Sequence, residues 1–229
     1  MERVIEKLIR DTVPLVSSVD KDDFIMASEK AFDCTFDGTS RFYPWKLPTN
    51  IPKSFKLGVI VGSSGSGKST LLKQFGIEET PEWDSTKSIV SHFENPDEAI
   101  NKLMSVGLNS IPSWYKPYHV LSNGEKFRAD LARKIKSNSV IDEFTSVVDR
   151  NVAKAASVSL SKFIKNNDIE NVVLSTCHYD ILEWLEPDWV LNTDTGELLH
   201  GFFLSDHKSI SKYIAQTTIR GECLKTITI

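Results

Sequence analysis

Three glycines, a lysine and five hydroxyl residues fall within nine positions of the chain: Gly62, Ser63, Ser64, Gly65, Ser66, Gly67, Lys68, Ser69 and Thr70. The run satisfies the phosphate-loop pattern G-x-x-x-x-G-K-[ST]. Glycines let successive backbone N–H groups turn inward around an anion, and a helix that starts at the lysine adds the positive end of its dipole. The chemistry this spacing supports is the binding of a nucleoside triphosphate. Lys68 is placed to reach the β- and γ-phosphates, and the Ser69 hydroxyl to coordinate magnesium.

Such a loop works only if neighbouring elements hold it. LGVIVG (57–62) reads as a buried strand and KSTLLKQF as the helix after the loop. KSIVSHF (87–93) reads as a second strand, and PDEAINKLMSVGL (96–108) as a short helix. In EKFRADLARKI the apolar residues Phe127, Ala129, Leu131, Ala132 and Ile135 predict a helix buried on one side. SVIDEF (139–144) and NVVLSTC (171–177) are further apolar strands, separated by the helical NVAKAASVSLSKFIKNN. This alternation predicts an α/β protein with a mostly parallel sheet flanked by helices. Residues 1–35 hold two apolar-patterned pieces, RVIEKLI and DDFIMASEKAF, each compatible with helix or edge strand. FDGTSRFYPWKLPTNIPKSF (36–55) reads as a Pro-rich connection carrying aromatics.

At 229 residues, with 40% hydrophobic and 25% charged residues, the chain suits one globular domain of ordinary core size. Its longest apolar runs are too short to cross a bilayer, so no direct membrane insertion is expected. MERVIEKLIRDTV has no apolar signal core. Cys34, Cys177 and Cys223 are widely spaced and fit neither a disulfide framework nor a zinc site; they read as free thiols in a reducing, cytoplasmic setting. A net charge of −4 disfavours a chain that coats nucleic acid without sequence preference. EKFRADLARKIK (125–136), with five basic residues against two acidic, is the local exception and reads as a solvated helix face.

Four further stretches follow the phosphate loop in order, and together they resemble the motifs of ABC-type ATPases. LSNGE (121–125) resembles the signature, VIDEF (140–144) the Walker B motif, SVVD (146–149) the D-loop and STCHYD (175–180) the switch-histidine loop. The resemblance spans about residues 40–190. It implies a P-loop NTPase fold, with an ABC-type ATPase domain over 1–205 and a C-terminal tail over 206–229. It implies ATP and Mg2+ as ligands, with Asp142 joining Ser69 on the metal. Glu143 resembles the general base that polarises the attacking water, and His178 the residue that contacts the γ-phosphate. Ser122 and Gly124 open a helix that, in the family, caps the ATP of a second subunit. Two chains then sandwich two nucleotides as an ATP-dependent homodimer, with Asp149 at the interface. Tyr43 is the expected adenine-stacking aromatic, with Phe42 and Trp45 as alternatives. Asn123 stands in place of a usual signature glycine and Glu125 in place of a glutamine. No glutamine follows KSIVSHF's expected strand, and His92 or Ser91 is the stand-in.

Only 53 residues separate Lys68 from Ser122. The family's transporter subunits carry a longer helical subdomain here, and its chromosome-maintenance members a coiled coil; this chain has room for a reduced subdomain and shows no heptads over 80–120. The resemblance therefore implies a compact, soluble, non-transporter ATPase, with the nucleotide-binding subunit of a membrane transporter as the alternative. VLSNGEKFR, VIDEFTSVVDRNVA and CHYDILEWLEPDWV resemble, more narrowly, small bacterial and phage ABC ATPases associated with GNAT-like acyltransferases. That implies a nucleic-acid partner or a separate acyltransferase chain. Nucleic-acid contacts would come from Lys126, Arg128, Arg133, Lys134 and Lys136, with Lys102 and Lys116 before them.

Overall fold

The computed structural model of the chain describes residues 5–200, with side chains from residue 7 onward. The expected tail over 206–229 and Cys223 lie outside the described residues. In chain order the elements are β1 (Ile5–Lys7), β2 (Leu15–Ser18), α1 (Asp23–Phe32), β3 (Thr39–Phe42), β4 (Leu57–Val61), α2 (Lys68–Leu72), α3 (Pro96–Ser105) and α4 (Ile111–Trp114). These are followed by α5 (Asn123–Lys134), β5 (Val140–Ile141), α6 (Arg150–Asn166), β6 (Val172–Thr176), α7 (Leu182–Leu185), β7 (Trp189–Asn192) and β8 (Glu197–His200).

Among the described residues, six strands form one sheet in the order β1-β8-β7-β4-β6-β5. The four strands β7, β4, β6 and β5 are parallel, while β8 and β1 extend the sheet antiparallel. Strands β4, β6 and β7 are buried at every position, which is why their sequences are apolar up to the polar ends Ser175–Thr176 and Asn192. Side chains still alternate between the two faces. Val59, Val61, Leu174 and Val190 pack toward α3, α5, α6 and α7. Ile60, Val173 and Leu191 point the other way, onto α2 and Trp45. The α/β expectation holds.

Several local expectations change. KSIVSHF is a 3-10 turn over Ile89–His92 and not a strand. His92 explains this: its Nε2 accepts the Asp84 N–H (2.9 Å) and its Nδ1 donates to the Ser88 carbonyl (2.9 Å), so local bonds replace a ladder. DDFIMASEKAF is helix α1, started by the Asp22 carboxylate accepting the Ile25 N–H (2.9 Å). RVIEKLI supplies β1 at the sheet edge. The link between those two pieces contains β2, and the Pro-rich segment 36–55 contains β3; the two strands pair with each other, Leu15 opposite Phe42 and Ser18 opposite Thr39. Between Lys68 and Ser122 the only α-helices beyond α2 itself are α3 and α4, so the helical subdomain is small.

Strand β4 carries a glycine for a packing reason. The buried Trp189 indole lies across Gly58, flanked edge-on by Phe55 (5.2 Å between ring centroids) and stacked on Phe75 (5.3 Å). A Cβ at position 58 would sit 2.0 Å from the indole. Gly58→Val is therefore expected to lower unfolding stability by about 1–3 kcal/mol in denaturant titration, the usual cost of overpacking. Trp189→Phe in that background should recover part of the loss, and a Gly58→Val protein as stable as wild type would refute this packing account.

Candidate nucleotide-binding site

Parallel pairing decides where the loops emerge. Val61 at the end of β4 pairs with Thr176 of β6, and Ile141 of β5 with Leu174 of β6. The phosphate loop, Asp142–Glu143 and Cys177–His178 therefore leave the sheet at one edge, where open α/β sheets place ligands. Lys68 is only 9% exposed, and its Nζ donates to the Ser63 carbonyl (2.7 Å), folding the loop over on itself. Gly67 has φ 96°, and a Cβ there would meet the Phe42 ring at 2.8 Å, so both backbone and space demand glycine. No side chain caps the start of α2, which leaves its first N–H groups for an anion.

A cleft of ≈ 330 Å³ opens over this loop, and Ser64, Gly65, Gly67, Lys68, Ser69, Thr70, Asp142 and Glu143 all line it. The remaining loop residues brace it. Ser66 Oγ bonds Thr193 Oγ1 (2.6 Å), and the Ser66 carbonyl accepts the Trp45 indole N–H (3.0 Å). Gly62 N–H donates to the Thr176 carbonyl (3.3 Å). Tyr43, by contrast, does not line the cleft; it is 43% exposed, and its carbonyl accepts from Arg10. Phe42, one of the alternatives, supplies the aromatic wall, while Trp45 sits behind the loop under the Arg10 guanidinium, 3.9 Å away. His92 and Ser91 do not line the cleft either.

Ser69 and Asp142 present an oxygen-only donor set to one space, which suits magnesium, a cation often held by few protein ligands plus phosphate oxygens. Asp142 Oδ1 accepts from Ser175 Oγ and from the Glu143 N–H (2.9 Å); its other oxygen has no hydrogen-bond partner among the described residues. Glu143 and Thr145 both adopt left-handed backbone angles, φ 50° and 67°, a strain of about 1–3 kcal/mol per residue. The fully buried Phe144 between them holds the turn: its N–H donates to the Ser175 carbonyl (2.8 Å), and its carbonyl accepts from Thr176 Oγ1 (2.9 Å). The Glu143 carboxylate itself has no partner among the described residues. His178 lies outside the cleft lining, with Nδ1 3.0 Å from Thr145 Oγ1. Burial, and then the Arg150 charge, lower its pKa, so the ring is neutral near pH 7.

Ser122, Gly124 and Asp149 gather elsewhere. Ser122 caps α5 in a reciprocal box with Glu125, whose carboxyl is held down at about 2 by hydrogen bonds from Ser113 and Ser122. Asp149 caps α6 through the Asn151 and Val152 N–H groups (2.9 and 3.1 Å). A Cβ at Gly124 would touch Val152 at 3.8 Å, so the two caps adjoin. None of the three lines the phosphate-loop cleft of its own chain.

No protein-family model and no curated protein sequence matches the chain. In three dimensions it is similar to solved ATP-binding cassettes. The dimeric structure of MJ0796, a bacterial ABC transporter cassette, is 16% identical over 67% of this chain and 87% of its own, with a TM-score of 0.51. A dimeric post-hydrolysis state of MJ0796 bound to ADP and Pi is 15% identical over 82% of this chain and 94% of its own, with a TM-score of 0.53. The fold is that of an ABC-type ATPase cassette.

Within this fold the basic run on and just after α5 is largely committed to the chain itself. Lys134 pairs with Glu78 and Lys136 with Glu79, both at 2.7 Å. Arg133 donates to the Glu82 carbonyl and covers the Trp83 ring. Arg128 donates to the Gly124 and Gly107 carbonyls (3.0 and 2.9 Å), and Lys102 pairs with Glu98. Of the expected nucleic-acid contacts, Lys116 and Lys126 alone lack an ion pair or carbonyl acceptor among the described residues. The sequence also hid a brace. Asp194 accepts the Ser63 N–H (2.8 Å), the Ser63 hydroxyl (2.8 Å) and the Tyr179 hydroxyl (2.8 Å). It joins the phosphate loop to the segment after His178, and no local pattern announces a partnership across 131 positions. Asp194→Ala is expected to weaken nucleotide affinity about tenfold or more, the worth of charge-assisted hydrogen bonds. A fluorescent-nucleotide titration, paired with a melting curve showing an intact fold, checks this; unchanged affinity would remove Asp194 from the site.

Proposed function

We propose that the chain binds and hydrolyses ATP, and does so in a head-to-tail dimer. The observation that carries this is a cleft in which the phosphate loop, Lys68, Ser69, Asp142 and Glu143, whose carboxylate has no partner among the described residues, come together. The loop N–H groups and Lys68 hold the β- and γ-phosphates and fix the γ-phosphorus opposite Glu143. Glu143 takes a proton from water as the water oxygen bonds to that phosphorus. The bond to the β–γ bridging oxygen breaks, giving ADP and phosphate. Magnesium, held by Ser69 and Asp142, would neutralise charge on the phosphate oxygens. His178 acts from behind, through Thr145, on the turn that presents Glu143.

The dimer follows from what one chain leaves unfinished. Ser122 and Asp149 are exposed and line neither the phosphate-loop cleft nor the cleft along α5, while Asn123 and Val147, the latter 63% exposed, rim the cleft along α5 beside Asp142 and Glu143. The N-terminus of α5 suits a γ-phosphate supplied by a second copy. The short segment between Lys68 and Ser122 supports a soluble, non-transporter role in which closure works on a partner. With the α5 charges mostly paired internally, a protein, such as a separate acyltransferase, suits this surface better than nucleic acid. The transporter-subunit alternative draws on the structural neighbours, which are transporter cassettes.

Glu143→Gln should keep ATP binding and lose about 100-fold or more in turnover, a general-base contribution. With magnesium and ATP it should be the longest-lived dimer in light scattering, and adding Ser122→Arg should abolish that dimer. Undiminished turnover in Glu143→Gln would remove the base, and a strictly monomeric Glu143→Gln protein at saturating ATP would remove the sandwich. Capture on the same variant, read by mass spectrometry and nucleic-acid staining, separates the partners: integral membrane chains would mark a transporter subunit.

A further inference from the structure

Strand β6 is apolar until Ser175, which is completely buried. Alternation along the strand puts Ser175 on the same side as Val173, which packs in one cluster with Leu71 and Leu72 of α2. Packing alone would be served there by any small apolar side chain. The hydroxyl is instead fully engaged, as a buried polar group must be. It donates to Asp142 Oδ1 and accepts the Glu143 N–H (3.3 Å), and the same Oδ1 also accepts that N–H (2.9 Å). Parallel pairing sets this up, because Ile141 lies opposite Leu174 and Asp142 and Ser175 are the next residues of the two strands. Asp142 Oδ1 is therefore engaged twice, and the carboxylate brings to the cleft one oxygen without a partner among the described residues.

We propose that Ser175 is a positioning residue that sets which divalent cation the site takes. The inference rests on the reading of Ser69 and Asp142 as magnesium ligands. A carboxylate with one oxygen engaged offers a metal, or a metal-bound water, a single contact. Magnesium is satisfied by that, since it keeps several waters and adds only one or two carboxylates and the phosphate oxygens. Calcium collects about six to eight oxygens at longer distances and often takes both from one carboxylate. Held at Oδ1, Asp142 withholds the second. The Glu143 N–H belongs to the same turn as Asp142, so Ser175 is the contact that ties the carboxylate to another strand. Without the hydroxyl the carboxylate turns and presents both oxygens, which costs magnesium its geometry and gives calcium a ligand.

The test titrates the full chain with a fluorescent, non-hydrolysable ATP analogue in magnesium, in calcium and in chelator. The wild type should reach half-maximal binding at a lower concentration of magnesium than of calcium. Ser175→Ala and the near-isosteric Ser175→Cys, each shown to be folded by a melting curve, should narrow that preference by about tenfold or more, the usual worth of a hydrogen bond to a metal-binding carboxylate. Affinity in chelator should stay at the wild-type value. A wild type that takes both cations equally well overturns the proposal, as does an unchanged preference in both variants. Equal losses in magnesium, calcium and chelator overturn it too, because they mark a collapsed site. A wild type whose nucleotide affinity ignores magnesium refutes instead the underlying reading of Ser69 and Asp142.

Discussion

The pairing of β6 with β4 on one side and β5 on the other is the constraint on which the rest depends. β6 lends the site no phosphate-binding or acidic side chain, yet its last two residues pin both functional turns. Ser175 donates its hydroxyl to Asp142 and its carbonyl accepts the Phe144 N–H. Thr176 accepts the Gly62 N–H on its carbonyl and sends its hydroxyl to the Phe144 carbonyl. A one-residue slip of this strand would turn both hydroxyls to the wrong face and separate the loop from its carboxylates.

That pinning explains how two left-handed, non-glycine residues persist beside an exposed carboxylate. Strained turns last only where surroundings over-determine them. Here a fully buried phenylalanine and six hydrogen bonds surround Glu143 and Thr145, so strain is held locally and the carboxylate has no partner among the described residues. The opposite logic governs α5, where charged groups are paired instead. The segment after α2 brings Glu78, Glu79 and Trp83 onto α5, and Trp83 stacks on Tyr118 (4.9 Å) while its indole N–H donates to Asp130 (2.8 Å). Exposed ion pairs contribute little each, so the aromatic stack and its hydrogen bond do most of the fixing. The phosphate-loop helix and the helix opened by Ser122 are thus tied within one chain.

The sequence alone determined the local pattern of the loop and the α/β plan. Gly62 to Thr70 is a local motif whose backbone freedom and charge do not depend on distant residues, and strands buried on both faces must be continuously apolar. The order of VIDEF and STCHYD after the loop was likewise legible, because each follows directly on an apolar strand. Tertiary structure decided what depends on pairing across long separations. β2 and β3 find each other across an intervening helix, and KSIVSHF became a turn because His92 found backbone partners on both ring nitrogens. Phe42 rather than Tyr43 faces the cleft because β3 ends there with Phe42 opposite Leu15, and adjacent residues of an extended chain point opposite ways. The basic run on α5 read as a free surface because its partners, Glu78 and Glu79, are more than fifty positions away. Asp194 carries no motif at all; only the β7–β8 turn, folded back beside β4, places its carboxylate under Ser63. Composition and local geometry fix what a segment can do, and the sheet's register fixes which segments meet.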